Sequence, residues 1–132
     1  MPVCDREEQL RATASHRQLL CLPLFLLMQS IDNTAAITDG DEVPPSAATV
    51  KQAKDLMVEV PLLLLGTPSV NSFFGEIHLS WTRNNRQVAL IFLPDRPPLV
   101  HHYNRAPGLP STHDIEPASS DRVAYWLRWL RA

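Results

Sequence analysis

Four histidines are the residues whose chemistry is easiest to formulate, because neutral imidazole is the commonest side-chain ligand for borderline metal ions. His101, His102 and His113, with His78 earlier in the chain, could serve a metal site, a hydrolase or a metal-dependent enzyme. The spacing argues against a shared ion. Adjacent residues of a strand point to opposite faces, and no nearby carboxylate or cysteine completes a ligand set. We therefore predict no metal and no cofactor.

Nucleophilic catalysis needs a serine or cysteine beside a base, and no serine lies in a G-x-S-x-G motif. Cys21 lies in an apolar run, where a thiol is normally inert and buried, and Cys4 lies near the N-terminus. Glu76 and Asp95 could form an acid and base pair, but a carboxylate at a strand start and another in a turn are typically solvated charges. Glycine-rich phosphate loops are also missing. We predict a protein without catalytic residues, with a small enzyme as the alternative.

The C-terminal segment combines aromatic residues with arginines. Ser119 or Ser120 is predicted to cap a short helix, in which Tyr125 and Trp129 lie one turn apart beside Arg128. An adjoining stripe faces the core: Val123, Trp126, Leu127 and Leu130. Trp, Tyr and Arg are enriched at interface hot spots. Three arginines with one aspartate carry little net positive charge, which is a weak indication of binding to nucleic-acid phosphates. We predict that Tyr125, Trp129 and Arg128 contact a partner protein, and a DNA-binding regulator using this helix is a further alternative.

Two helices are predicted before any strand. The first covers residues 5–28, where Pro23 would kink or interrupt it. A turn-rich connector follows over residues 32–46. Ser46 is typical of an N-cap, and the second helix that it begins would end at Pro61.

A strand signal begins at residues 76–82, where apolar and polar side chains alternate. Asn84 and Asn85 then suit a tight hairpin. Residues 88–93 are apolar at every position, which is typical of a central strand covered on both faces. Residues 99–103 supply the last predicted strand, and the proline-containing segment after it is predicted to be a loop that leads to the C-terminal helix.

The chain of 132 residues has the length and composition of one globular domain, with 45% hydrophobic and 20% charged residues. We predict a single α+β domain over residues 1–132: a short antiparallel meander of three to four strands, flanked by two N-terminal helices and one C-terminal helix. Residues 1–30 could form a separate apolar helix. Residues 62–65 are too short to classify by periodicity and are taken as an apolar linker under the sheet.

Charge and cysteine content limit the compartment and the partners. With a formal net charge of −2 and an isoelectric point near 6.2, the chain has no overall positive charge that would attract nucleic acid or an anionic membrane. Two cysteines without C-x-x-C spacing suit a reducing cytoplasm. The run Leu19–Met28 resembles the apolar region of a signal peptide in length, but its acidic flank argues against export and it is too short to span a bilayer. We predict a cytoplasmic protein.

Three short motifs carry a family resemblance: Asp39-Gly40-Asp41-Glu42-Val43-Pro44-Pro45-Ser46 before a helix, then Pro68-Ser69-Val70, then Gly75-Glu76-Ile77-His78-Leu79-Ser80-Trp81 before a hairpin. Over residues 28–103 the chain resembles a loose set of small uncharacterised bacterial α+β proteins. The resemblance implies a fold and no established catalytic residues. It also implies an accessory role beside neighbouring gene products.

Surplus apolar surface is the feature from which we infer function. The first helix, the leucine linker, the central strand and the C-terminal helix are all apolar or aromatic in one small chain. Either they cover one another or a partner covers some of them. We expect a non-enzymatic interaction protein that docks to another protein, as a homodimer or with a neighbour-encoded, antitoxin-like or defence-related partner.

Overall fold

The computed structural model describes residues 16–36, 43–108 and 110–132. Within these residues the chain forms four helices and five strands in this order: α1 (His16–Ala36), α2 (Ala47–Glu59), α3 (Leu62–Leu65), β1 (Ser69–Phe73), β2 (Glu76–Arg83), β3 (Arg86–Phe92), β4 (Leu99–Asn104), β5 (Thr112–Pro117) and α4 (Ser120–Arg131). The predicted α+β class is confirmed.

The five strands form one antiparallel meander in the order β1-β2-β3-β4-β5. Arg83 pairs with Arg86 across the β2–β3 hairpin, so Asn84 and Asn85 are its two turn residues, as predicted. Asn84 has φ of +54°, which asparagine tolerates better than most residues. The short turn fixes the register of the two central strands.

One face of the sheet holds the core. Buried strand residues alternate along β2, β3 and β4 and pack together with helix residues; on the strands they are Ile77, Leu79, Trp81, Val88, Leu90, Phe92 and Val100. The middle position of β3 is confirmed. Its second face differs from the prediction, because Ala89 and Ile91 are only half-buried. The fold is therefore a sheet whose buried side packs against the helices.

Capping residues and apolar stripes fix α2 and α4. The Ser46 hydroxyl accepts a hydrogen bond from the Thr49 amide at 3.2 Å, and the Ser119 hydroxyl accepts one from the Arg122 amide at 3.2 Å. Both predicted caps are confirmed, with Ser119 as the cap of α4. The buried face of α4 carries Val123, Ala124, Leu127 and Leu130. Trp126, placed in the same stripe from the sequence, is only partly buried.

The predicted end of the first helix was wrong, because α1 continues to Ala36. Ile31 lies one turn beyond Leu27, and both side chains are buried in the core, so packing extends the helix into the supposed connector. Pro23 lies inside α1 and does not end it. The predicted part of this helix before His16, and residues 37–42 of the predicted connector, lie outside the described residues.

The predicted sheet of three to four strands was too small. The additional strands are the two edges, β1 and β5, and both have a weak sequence signal. β1 is rich in serine and asparagine, and β5 is almost wholly exposed and ends in a proline. The predicted apolar linker is the helical turn α3, in which Leu65 is buried and its carbonyl accepts a hydrogen bond from Trp81 Nε1.

Candidate functional site

The histidines lie on different faces of the sheet. His102 stacks on Trp126 of α4, with ring centroids 3.6 Å apart, whereas His101 meets His113 edge-to-face at 5.7 Å on the opposite face. His78 Nε2 lies 2.9 Å from Oε2 of Glu76. In the part of the chain that the structure describes, no three histidines, cysteines or carboxylates lie together as potential metal ligands. The described histidines therefore do not share one site.

His101 is the histidine with the most perturbed environment. Its Nε2 is buried and has no hydrogen-bond partner among the described residues. Burial lowers the pKa of His101 below its ordinary value of 6.5, and the positive charges of His113 and His102 lower it further, against a smaller opposing effect of Asp114. The fold thus favours neutral His101.

The aromatic side chains of α4 make contacts inside the molecule. Trp126 Nε1 donates to Oε1 of Glu116 at 2.5 Å, and the same oxygen accepts from Arg122 Nε at 2.9 Å. The Trp126 hydrogen bond and then the Arg122 contacts lower the pKa of the Glu116 carboxyl, because they stabilise the carboxylate more than burial disfavours it. A satisfied polar network therefore joins α4 to β5.

The three residues predicted to contact a partner have different surroundings. Tyr125 is 52% exposed, and the Arg122 guanidinium lies 4.7 Å from its ring centroid. Arg128 is exposed one turn further along α4. Trp129 is half-buried, with the Arg86 guanidinium 4.9 Å from its ring centroid. Tyr125 and Arg128 thus lie on the outer side of α4, while Trp129 packs towards the sheet.

α1 carries an exposed apolar patch, whereas all the predicted binding residues lie on α4. Leu22, Phe25 and Leu26 are 49%, 42% and 50% exposed, and their i, i+3, i+4 spacing puts them on one side of the helix. We call these three residues the α1 patch. Its sequence signal is the run Leu19–Met28, which is apolar on every side of a helix. Since α1 packs on α2, α3 and β1 with one face, its other apolar face stays exposed.

A groove of about 150 Å³ joins the α1 patch to the start of β1. Leu26 and Pro23 line it from α1, and Pro68 and Val70 line it from the strand side. None of its lining residues is charged. Alongside it, β1 is an edge strand without an ionisable side chain. This side of the molecule thus offers apolar surface next to strand backbone, and neither feature carries a charge.

Comparisons with protein-family models, with curated proteins and with solved structures find no match for this chain. The resemblance to small bacterial α+β proteins therefore stays a prediction. Among the described helices, none combines the length and the apolar character that crossing a membrane requires.

Proposed function

We propose that the chain is a non-enzymatic interaction module that docks to a second copy of itself through the α1 patch, the adjoining groove and the β1 edge. The observation that carries the proposal is the exposure of Leu22, Phe25 and Leu26 on a helix whose other face is buried in the core. Contiguous exposed apolar surface is characteristic of interaction sites.

The absence of charge on this surface favours a second copy as the occupant. Two copies related by a two-fold axis place identical residues near each other, so a charged surface would oppose like charges. The groove lining and β1 contain none. The outer side of α4, by contrast, carries the exposed Arg128, which would meet its own copy across such an axis. The uncharged side therefore tolerates self-association best.

The double variant Leu22→Gln with Leu26→Gln tests the proposal by size exclusion with light scattering over a dilution series. Burying the exposed half of each leucine stabilises a dimer by about 1 kcal/mol, so four leucines in two copies contribute on the order of 4 kcal/mol. We expect the dimer to dissociate at roughly thousand-fold higher concentration than the wild type. Glutamine is a good helix former, so the thermal unfolding of the variant should change little.

Val58→Gln is the matched control, because Val58 is exposed on α2 and does not line the groove beside the α1 patch. It should leave the dimer intact. A wild-type chain that stays monomeric at tens of micromolar, or equal effects of the control and the double variant, would refute docking of a second copy through this side. If a stable complex forms only after co-expression with a neighbouring gene product, the partner is that product and not a second copy of this chain.

The outer side of α4 is the second surface for the same function. Tyr125 and Arg128 are exposed there, next to Arg122. If this helix binds the partner, Tyr125→Ala should abolish association while the α1 variants keep it. The two sets of substitutions therefore assign the interface to one side of the molecule.

A further inference from the structure

The hairpin between β1 and β2 has an exposed aromatic residue at its tip. Phe73 pairs with Glu76, so Phe74 and Gly75 are the two turn residues. Both have a left-handed backbone, with φ of +52° and +80°. Such turns favour asparagine or aspartate before glycine, because a bulky side chain is strained at positive φ. Phenylalanine is therefore less favourable for this turn than asparagine would be.

Contacts within the chain do not explain the phenylalanine at this position. Phe74 is 82% exposed, which is the largest exposed fraction among the large hydrophobic side chains that the structure describes. The adjacent Phe73, by contrast, packs edge-to-face on His78 with ring centroids 5.4 Å apart. A residue held in an unfavourable backbone conformation is a reason to look for a function. Since Phe74 is exposed as well as strained, we look for that function in a contact with another molecule.

Pairing of two β1 edges determines where Phe74 would lie on a second copy. β1 has five residues with Asn71 at its centre, so complete antiparallel overlap places Asn71 opposite its own copy and Phe73 opposite Ser69. The residue after one strand then lies beside the residue before the other, at about the 4.8 Å separation of neighbouring strands. Phe74 of one copy is thereby next to Pro68 of the second copy.

Pro68 is part of the groove that joins the α1 patch to β1. The groove is lined on the other side by Pro23 and Leu26, and no lining residue is charged. An apolar cavity of about 150 Å³ can hold benzene. The groove has a volume of about 150 Å³, so it has room for one phenyl ring.

We propose that Phe74 of each copy inserts into the groove of the other copy. The inference rests on the proposed function, because it requires docking of a second copy through β1. Two-fold symmetry forms the contact twice, once at each end of the paired strands. The exposed aromatic ring and the uncharged groove are thus the two halves of one contact, and each copy supplies both.

Phe74→Asn tests the insertion in a dilution series by size exclusion with light scattering. Asparagine adopts positive φ more readily than phenylalanine, so the unfolding midpoint should not fall when it is measured at a concentration where both chains are monomeric. Removal of two buried rings per dimer should raise the concentration at which the dimer dissociates at least about hundredfold. Unchanged folding with weaker association is the expected result.

Ser30→Gln tests the groove from its other side, because Ser30 lines it from α1. The longer side chain takes up space that the ring needs, so the dimer should dissociate at about tenfold higher concentration. Two substitutions that act on one contact are not additive. The double variant with Phe74→Asn should therefore weaken the dimer by less than the product of the two single effects.

Ile115→Thr is the control, because Ile115 is exposed on β5 at the opposite edge of the sheet. It should change the dissociation concentration less than about twofold. A dimer that Leu22→Gln with Leu26→Gln weakens and Phe74→Asn does not would overturn the insertion alone. If Ser30→Gln and Phe74→Asn have fully multiplicative effects, the ring lies outside the groove. A wild-type chain that stays monomeric would refute both the insertion and the proposed interface.

Discussion

The two edges of the sheet differ in charge and in what lies beside them. β1 has no ionisable side chain and lies next to the α1 patch. β5 carries His113, Asp114 and Glu116, ends in Pro117, and has an aromatic and arginine network beside it. Charges and prolines are the usual means by which proteins keep an edge strand from pairing with another chain. The difference indicates that β5 carries the usual protection against pairing, whereas β1 does not.

Large apolar side chains also differ between α4, where they contact other residues of the chain, and α1, where they are exposed. Trp126 and Trp129 of α4 contact His102, Glu116 and Arg86 within the molecule. The leucines of the α1 patch are half exposed. Residue type alone favoured Trp129, with Tyr125 and Arg128, as the binding residues, because the sequence does not reveal which side chains already have internal partners. We therefore expect substitutions in α4 to change folding stability and substitutions in α1 to change association.

The largest expected effect on stability follows from Trp126→Ala. The substitution removes the stacking on His102 and leaves Glu116 without one of its donors. We expect the free energy of unfolding to fall by about 3 kcal/mol, measured by urea denaturation, since truncation of a packed tryptophan costs about 3–5 kcal/mol in a full core. Association per folded chain should stay unchanged.

Tyr125→Ala is the control for this substitution, because the Tyr125 ring lies next to Trp126 but is half exposed. It should lower the free energy of unfolding by less than about 1 kcal/mol. Equal losses for the two variants would contradict an internal role that is specific to Trp126.

Sequence patterns predicted the parts of this fold that local chemistry determines. Ser46 and Ser119 cap their helices, and Asn84 turns the hairpin, because side-chain hydrogen bonds and left-handed φ depend on a few adjacent residues. The middle strand followed from its apolar run. The end of α1, by contrast, depends on the burial of Ile31 by other elements. No local rule could have supplied that contact.

The candidate surfaces were predictable only in part. The apolar run of α1 indicated that some surface needed cover, but which residues face outwards depends on how the helix packs on the sheet.

A smaller effect is expected from a charge on the open edge. Asn71 is exposed at the centre of β1, so Asn71→Lys would place two lysines near each other if the β1 edges of two copies pair. We expect dimer affinity to fall by about tenfold, measured by the same dilution series. Thr112→Lys on the opposite edge is the matched control and should leave association unchanged. An unchanged dimer in Asn71→Lys would remove the β1 edge from the interface and leave the α1 patch alone.

The smallest expected effect is a pH dependence of stability that arises at β4 and β5. The pKa of His101 is lowered below 6.5 in the folded chain, chiefly by burial and then by the charges of His113 and His102, while Asp114 acts in the opposite direction. The unfolded chain therefore binds the proton first as the pH falls. The contribution of neutral His101 to stability is complete above pH 6.5 and decreases as the pH drops through 6.5 towards the folded pKa.

Urea denaturation at a series of pH values measures this dependence. His101→Gln should flatten the slope just below pH 6.5, and His113→Gln should reduce it by removing the nearest positive charge. Glu116 acts in a separate window, because its lowered pKa makes the carboxylate contribution full above pH 4.5 and lost as the pH falls below that value. Glu116→Gln should therefore change the pH dependence of stability only below about pH 4.5. A slope near pH 6 that survives in His101→Gln would place the titrating group elsewhere in the chain.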